Sequence, residues 1–201
     1  MLLAAAEPAM TAIDAERAFA ADAQKSGQWT AFRKWSAPEA IMFVPQASNA
    51  HEFLKNLKDP PTAVFWWPGR SYVSCDGKTA INTGPWVRQW GKSVGYFTTV
   101  WQRQADGSWK WLLDHGDALE KPRAEGGDIK AQQAACPRIP VPPVPQREVP
   151  ANVKHSAGSS KDGTLNWGWT VRPDGSRSFF AMMWDGREHK HVIDDRVKAQ
   201  Q

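Results

Sequence analysis

Near the middle of the chain runs Ser108-Trp109-Lys110-Trp111-Leu112-Leu113-Asp114-His115-Gly116-Asp117, a tryptophan-rich stretch that ends in a histidine between two aspartates. Both polar types are costly to bury without a partner. Such an ending is therefore either a ligand-reading group on the floor of an apolar cavity or a polar strand end at the surface. His115 and Asp117 are separated by two positions, about 6.6 Å along an extended strand and on one side of it. A carboxylate so placed can fix the imidazole tautomer and raise its basicity, which a general base needs near neutral pH. His115 and Asp117 are thus the candidate catalytic pair, with Gly116 between them able to bulge and swing Asp117 away.

The hairpin carrying this stretch can be registered from its turn. Ala105-Asp106-Gly107 suits a three-residue loop with glycine in the left-handed conformation, which pairs Gln104 with Ser108. Counting outward sets Trp101 against Trp111, Thr99 against Leu113 and Phe97 against His115 on one side of the sheet. Asp114 then points to the other side, with Tyr96. The expected ligand-binding set is Trp66, Phe97, Thr99, Trp101, Trp111 and Leu113. Aromatic positions on a sheet face also serve as packed core, and a full interior would leave a binding or oligomerisation module without chemistry.

Other polar groups offer less. Asp14, Glu16 and Asp22 sit on a helix, where solvated acids are ordinary. His189 and His191 share a strand face, with Asp194-Asp195 nearby, but no third ligand of metal-site spacing accompanies them. No phosphate loop, hydrolase elbow, zincin helix or dinucleotide fingerprint is present, so neither a metal nor a cofactor is expected. Cys75 and Cys136 form no metal-ligand cluster. They are a candidate disulfide in an oxidising compartment and two buried thiols in a reducing one.

Composition narrows the class. The 201 residues are 41% hydrophobic and 23% charged, which fits one globular domain with an extension. The 25 basic residues are interspersed with 21 acidic ones, so the net charge of +4 is not gathered into a nucleic-acid-binding patch. Twelve tryptophans against two tyrosines point to a thick aromatic core or an aromatic-lined cavity. No apolar run is long enough to span a membrane. The opening Met1-Leu2-Leu3-Ala4-Ala5-Ala6 reads as the remnant of an export signal, which favours a periplasmic location, or as a frayed terminus in a cytoplasmic protein.

Periodicity predicts helices from Ala12 to about Trp35, broken at Ser26-Gly27, and a short one over Ala50–Leu57. Strands are expected over Ile41–Val44, Ala63–Trp67, Arg70–Ser74, Thr79–Thr83, Val94–Arg103 and Trp109–His115. Helices followed by a strand meander define an α+β domain. The organisation is a terminus over 1–11, the α+β domain over 12–120, a polar, proline-rich linker over 121–151 and a three-stranded β-meander over 152–201. The meander strands are Leu165–Val171, Arg177–Trp184 and Glu188–Ile193, with Leu165, Trp167, Trp169 and Val171 on the face of Phe179, Ala181 and Met183. Three strands cannot hide one apolar face by themselves, so the meander must pack on the first domain or on a partner subunit.

Three segments carry a family resemblance: Ala15-Glu16-Arg17-Ala18-Phe19-Ala20-Ala21-Asp22, Ala37-Pro38-Glu39-Ala40-Ile41-Met42-Phe43-Val44-Pro45, and Gly95-Tyr96-Phe97-Thr98-Thr99-Val100-Trp101 with Trp109 to His115. Over about residues 12–118 the chain resembles the nuclear transport factor 2-like superfamily, in particular its SnoaL-like branch. The resemblance implies a cone, with helices laid over a strongly curved antiparallel sheet and an apolar cavity on the concave side. It also implies lyase- or isomerase-type proton transfer next to a carbonyl, or pure binding and oligomerisation. The isomerase pattern of aspartate base, tyrosine and protonated acid is not matched here. The expectation is a small apolar or carbonyl-bearing ligand in a Trp-lined cavity and a homodimer, without nucleic acid.

Overall fold

The computed structural model describes residues 9–123, 129–145 and 148–199, so residues 1–8 of the opening segment lie outside it, as do parts of the linker. Helix α1 spans Ala12–Ser26 and α2 spans Gln28–Trp35. Thr11 starts α1 as a reciprocal cap: its hydroxyl accepts from the Asp14 N–H while the Asp14 carboxylate accepts from the Thr11 N–H. Gly27, at φ 105°, separates the two helices where a side chain would be strained. After β1 (Ser36–Phe43) and β2 (Ala47–Asn49) comes α3 (Ala50–Leu54).

The remaining strands of the first sheet are β3 (Phe65–Trp66), β4 (Arg70–Val73), β5 (Thr79–Arg88), β6 (Ser93–Arg103), β7 (Trp109–Leu119) and β8 (Lys130–Gln133). They assemble in the order β2-β1-β7-β6-β5-β4-β8, with β3 beside β5. Strand β5 continues through Gly84-Pro85, where the sequence suggested a break. A Cβ on Gly84 would lie 2.1 Å from the Trp67 carbonyl oxygen, so glycine here lets the loop before β4 approach the strand. Strand β8 arises inside the proline-rich stretch and adds in parallel to β4. Its pairing satisfies an edge that would otherwise be open.

Helices cover one face of this curved sheet. There Phe19, Trp66, Trp101, Trp109 and Trp111 form the first core. Edge-to-face contacts link Phe19 to Phe32, Trp66 and Trp101, with ring centroids 4.8 to 5.9 Å apart.

The opposite face is covered by a second sheet of the same chain. It has four strands rather than three: β9 (Lys154–Ser159), β10 (Leu165–Val171), β11 (Arg177–Trp184) and β12 (His189–Val197), ordered β12-β11-β10-β9. Strand β9 is polar and largely exposed, which is why its pattern carries no strand signal. Leu165 pairs with Met183, Trp167 with Ala181 and Trp169 with Phe179, the expected facing. Tyr72, Ile81, Val100 and Leu113 of the first sheet meet Leu165, Phe179, Ala181 and Ile193 of the second as a separate core. The molecule is a three-layer α+β arrangement, helices on sheet on sheet. A disulfide joins Cys75 and Cys136, with Cα atoms 5.1 Å apart, and fastens the chain after β8 to the β4–β5 turn.

Candidate functional site

The Gln104–Ser108 turn forms as expected, with Gly107 at φ 85° and the Gln104 N–H donating to the Ser108 carbonyl at 2.8 Å. Trp101 faces Trp111, also as expected. Beyond that pair the ladder slips: Val100 faces Leu113, leaving Leu112 as an extra residue on β7. One inserted residue exchanges the faces of everything beyond it. Thr99 therefore faces Asp114 rather than Leu113, and Thr98 faces His115. The expected grouping of His115 with the tryptophans is corrected: Asp114 lies on the helix-covered side, and His115 and Leu113 lie on the side of the second sheet.

On the helix side a cavity of about 440 Å³ opens among Phe19, Trp29, Phe32, Trp66 and Phe97, with Thr99 and Asp114 on its floor. Of the expected ligand-binding set, Trp66, Phe97 and Thr99 line it. Trp101 and Trp111 are wholly buried core residues beneath it, and Leu113 belongs to the inter-sheet core. The lining also includes Phe43, His115 and Asp117.

Asp114 is half-buried, with part of its surface on the cavity. The Thr99 hydroxyl donates to its Oδ1 at 3.1 Å. Burial, reinforced by the negative charge of Glu16 and opposed by the Thr99 hydrogen bond, raises its pKa to about 7. It can therefore both hold and release a proton near neutrality.

Glu16, expected as a solvated helix acid, is instead completely buried. Its Oε1 accepts from the Trp66 indole N–H at 2.9 Å, and its Oε2 accepts from Trp101 at 2.6 Å and from the Asn82 amide at 3.3 Å. Burial raises this carboxyl to about 7 against the lowering effect of those three donors. No cation is among its hydrogen-bond partners in the described residues. Two carboxyls with raised pKa values thus share the helix side of the sheet, and the charge of either disfavours charge on the other. The sequence signal for Glu16 was its place in the helical repeat: Ala12, Ala15, Phe19 and Ala23, also on α1, are buried with it.

His115 is boxed by the rings of Phe43, Phe179 and Tyr96 at centroid distances of 5.2, 5.7 and 6.1 Å. Neither ring nitrogen has a hydrogen-bond partner among the described residues. Burial first, then the nearby Arg177 and Arg123 charges, lower its pKa to about 3. An imidazole held neutral so strongly is a weak proton acceptor at neutral pH. Asp117 lies across from Tyr96 on the same face. His189, one of the two histidines weighed as metal ligands, brings Nε2 within 2.9 Å of Asn166 and 3.0 Å of the Gly163 carbonyl.

Comparison with protein-family models gives no match, and neither does comparison with curated proteins. Among solved structures the chain is similar to a presumed ketosteroid isomerase from Shewanella frigidimarina, at 20% identity and TM-score 0.39 over 53% of this chain and 95% of that one. It is similar also to a nuclear transport factor 2-like superfamily protein from Salmonella enterica, at 14% identity and TM-score 0.38 over 58% and 94%. A third is a cystatin-like fold protein from Burkholderia xenovorans, at 16% identity and TM-score 0.38 over 53% and 84%.

Proposed function

We propose that the protein binds a small, largely apolar molecule bearing a carbonyl or similar acceptor in the helix-side cavity, and that Asp114 exchanges a proton with it. The observation that carries this reading is a carboxyl with a pKa of about 7 on the floor of an aromatic cavity of about 440 Å³. That volume lies in the range of small-molecule sites, which combine apolar walls with a few convergent polar groups. The Phe19, Phe32 and Trp66 rings supply the walls, and Thr99 orients the carboxyl. In proton transfer next to a carbonyl, the ionised Asp114 would take a proton from the carbon beside the carbonyl and return it to the same or a conjugated carbon. Asp114 takes the role first expected of His115, because the imidazole faces the second sheet and is held neutral. Binding without turnover is the second reading, favoured by the complete burial of Trp101 and Trp111 as core.

The test is a thermal-shift series with alicyclic and aromatic ketones at neutral pH on wild type, Asp114→Asn and His115→Leu. A ligand at a hundredfold excess over Kd stabilises by about 2.7 kcal/mol. The expected result is a saturable rise in Tm for wild type and His115→Leu that is reduced in Asp114→Asn. Deuterium incorporation from heavy water into the bound ketone would then mark turnover. An equal rise in Asp114→Asn, with the shift lost in His115→Leu, would overturn the assignment.

A further inference from the structure

The sheet end beside the cavity mouth carries an apolar row that the second sheet does not bury. Phe65 of β3 pairs with Val87 of β5, Val87 with Val94 of β6, and Val94 with Leu119 of β7. Direct register puts all four on one face, across four strands spaced about 4.8 Å apart. Phe65 is 52% exposed and Leu119 40%, while Val87 and Val94 are half-buried. At the tip of the β5–β6 hairpin, Trp90 is 100% exposed. Gln89, Trp90 and Gly91 all have positive φ, so an indole is held in water by a backbone conformation that side-chain-bearing residues seldom adopt.

The charges around this row have one predominant sign. Arg88 and Lys92 flank Trp90 on the hairpin, and Lys121 follows Leu119 by two residues; all three are exposed, while the acids beside the row are the exposed Glu120 and the half-buried Asp117, two residues before Leu119 on its face. A two-fold contact between copies through this face would bring together two patches of the same predominant charge. An anionic partner is favoured instead. Indole rings settle at the headgroup level of bilayers, and exposed basic residues add attraction to acidic lipids.

We infer that this end of the molecule docks on an anionic phospholipid surface, with Trp90 and the Phe65–Leu119 row entering the interface and Arg88, Lys92 and Lys121 meeting the headgroups. Arg88, Ser93 and Ala118 belong both to this end and to the cavity lining. Docking would thus bring the cavity mouth to the membrane, a route by which an apolar ligand enters without crossing water. The surface itself is independent of the proposed chemistry, since no residue in it takes part in proton exchange.

The experiment is flotation of the full chain with vesicles of phosphatidylcholine alone and of phosphatidylcholine doped with phosphatidylglycerol, at low and high salt. Variants are Trp90→Ala, the double charge reversal Arg88→Glu/Lys92→Glu, and a control reversal, Arg172→Glu, on the exposed β10–β11 turn. Wild type and the control should float with the anionic vesicles and release in high salt. The double variant should lose binding by tenfold or more, at about fivefold for each cation removed, and Trp90→Ala should weaken it while keeping the wild-type Tm. Binding to neither vesicle, equal binding to both, or indifference to the charge reversal overturns the inference. So does a concentration-dependent dimer that Trp90→Ala abolishes, which would make the row a contact between copies. Ketone binding in the thermal-shift series would be unaffected by either failure.

Discussion

Asp114 stands across the β6–β7 pair from Thr99, its Oδ1 3.1 Å from the threonine hydroxyl, because Leu112 is one residue more than the ladder can pair. The contact fixes a mid-strand acid in the lining of an aromatic cavity. Its surroundings make the titration of Asp114 adjustable in both directions. Thr99→Val removes the donor that stabilises the carboxylate, so the pKa should rise above about 7. Glu16→Gln removes the opposing negative charge, so it should fall. Carbon-13 NMR titration of the side-chain carboxyls would follow both, and movement in the same direction would show that these neighbours do not set it.

Stability should decline as pH rises from about 4.5 to about 7. Glu16 and Asp114 hold protons more tightly in the folded state, at about 7 each, than at their ordinary values of 4.5 and 3.8. Within that window the folded chain binds more protons than the unfolded chain, and stability is lost as they leave. His115 acts oppositely between 6.5 and about 3, because there the unfolded chain binds the extra proton. Two groups against one leave a net decline, to which the fully buried Glu16 contributes on the order of 3 kcal/mol. Urea denaturation at about pH 5 and about pH 8 measures it directly; greater stability at the higher pH would contradict the assignment.

His115→Leu should stabilise the protein by about 1–2 kcal/mol at neutral pH, since it replaces two buried nitrogens that have no hydrogen-bond partner among the described residues with an apolar side chain among Phe43, Phe179 and Tyr96. The gain should grow toward pH 5, where the wild-type unfolded state takes up the proton that the folded state refuses. Denaturant midpoints at the two pH values test both parts. A loss of stability at both would mean that the imidazole makes a contact its present surroundings do not provide.

Phe179→Ala should cost about 3–5 kcal/mol, as expected for a fully buried aromatic. Because Phe179 shares a core with Ile81 and Val100 of the first sheet, unfolding should remain one cooperative transition seen alike by fluorescence and circular dichroism. Two separated transitions would show that the second sheet folds on its own.

Reduction of the Cys75–Cys136 bond, or the Cys75→Ser/Cys136→Ser pair, should lower stability by about 4 kcal/mol on the loop-entropy scale for a separation of 61 residues. The second sheet should stay docked, since the Cys75 N–H also donates to the Thr164 hydroxyl at 2.9 Å. Urea melts with and without reductant give the difference, and an unchanged midpoint would remove the bond from the stability of the fold.

The sequence by itself determined the local elements and the way neighbouring strands turn. The helices broken at Gly27, the Gln104–Ser108 turn and the facing of β10 and β11 follow from glycine conformation and short-range alternation, which act within a few residues. Tertiary packing decided the site. The slip at Leu112 has no composition signal, because Leu112 and Leu113 are both apolar and either suits a strand; the choice came from the second sheet, whose core takes Leu113. That choice carried His115 to one face and Asp114 to the other. The burial of Glu16 likewise required Trp66, Asn82 and Trp101 to arrive from strands 50, 66 and 85 residues away. Local pattern specifies which face of a helix or strand is apolar, but only the packed layers specify which polar group that face encloses and so which carboxyl is driven toward neutrality.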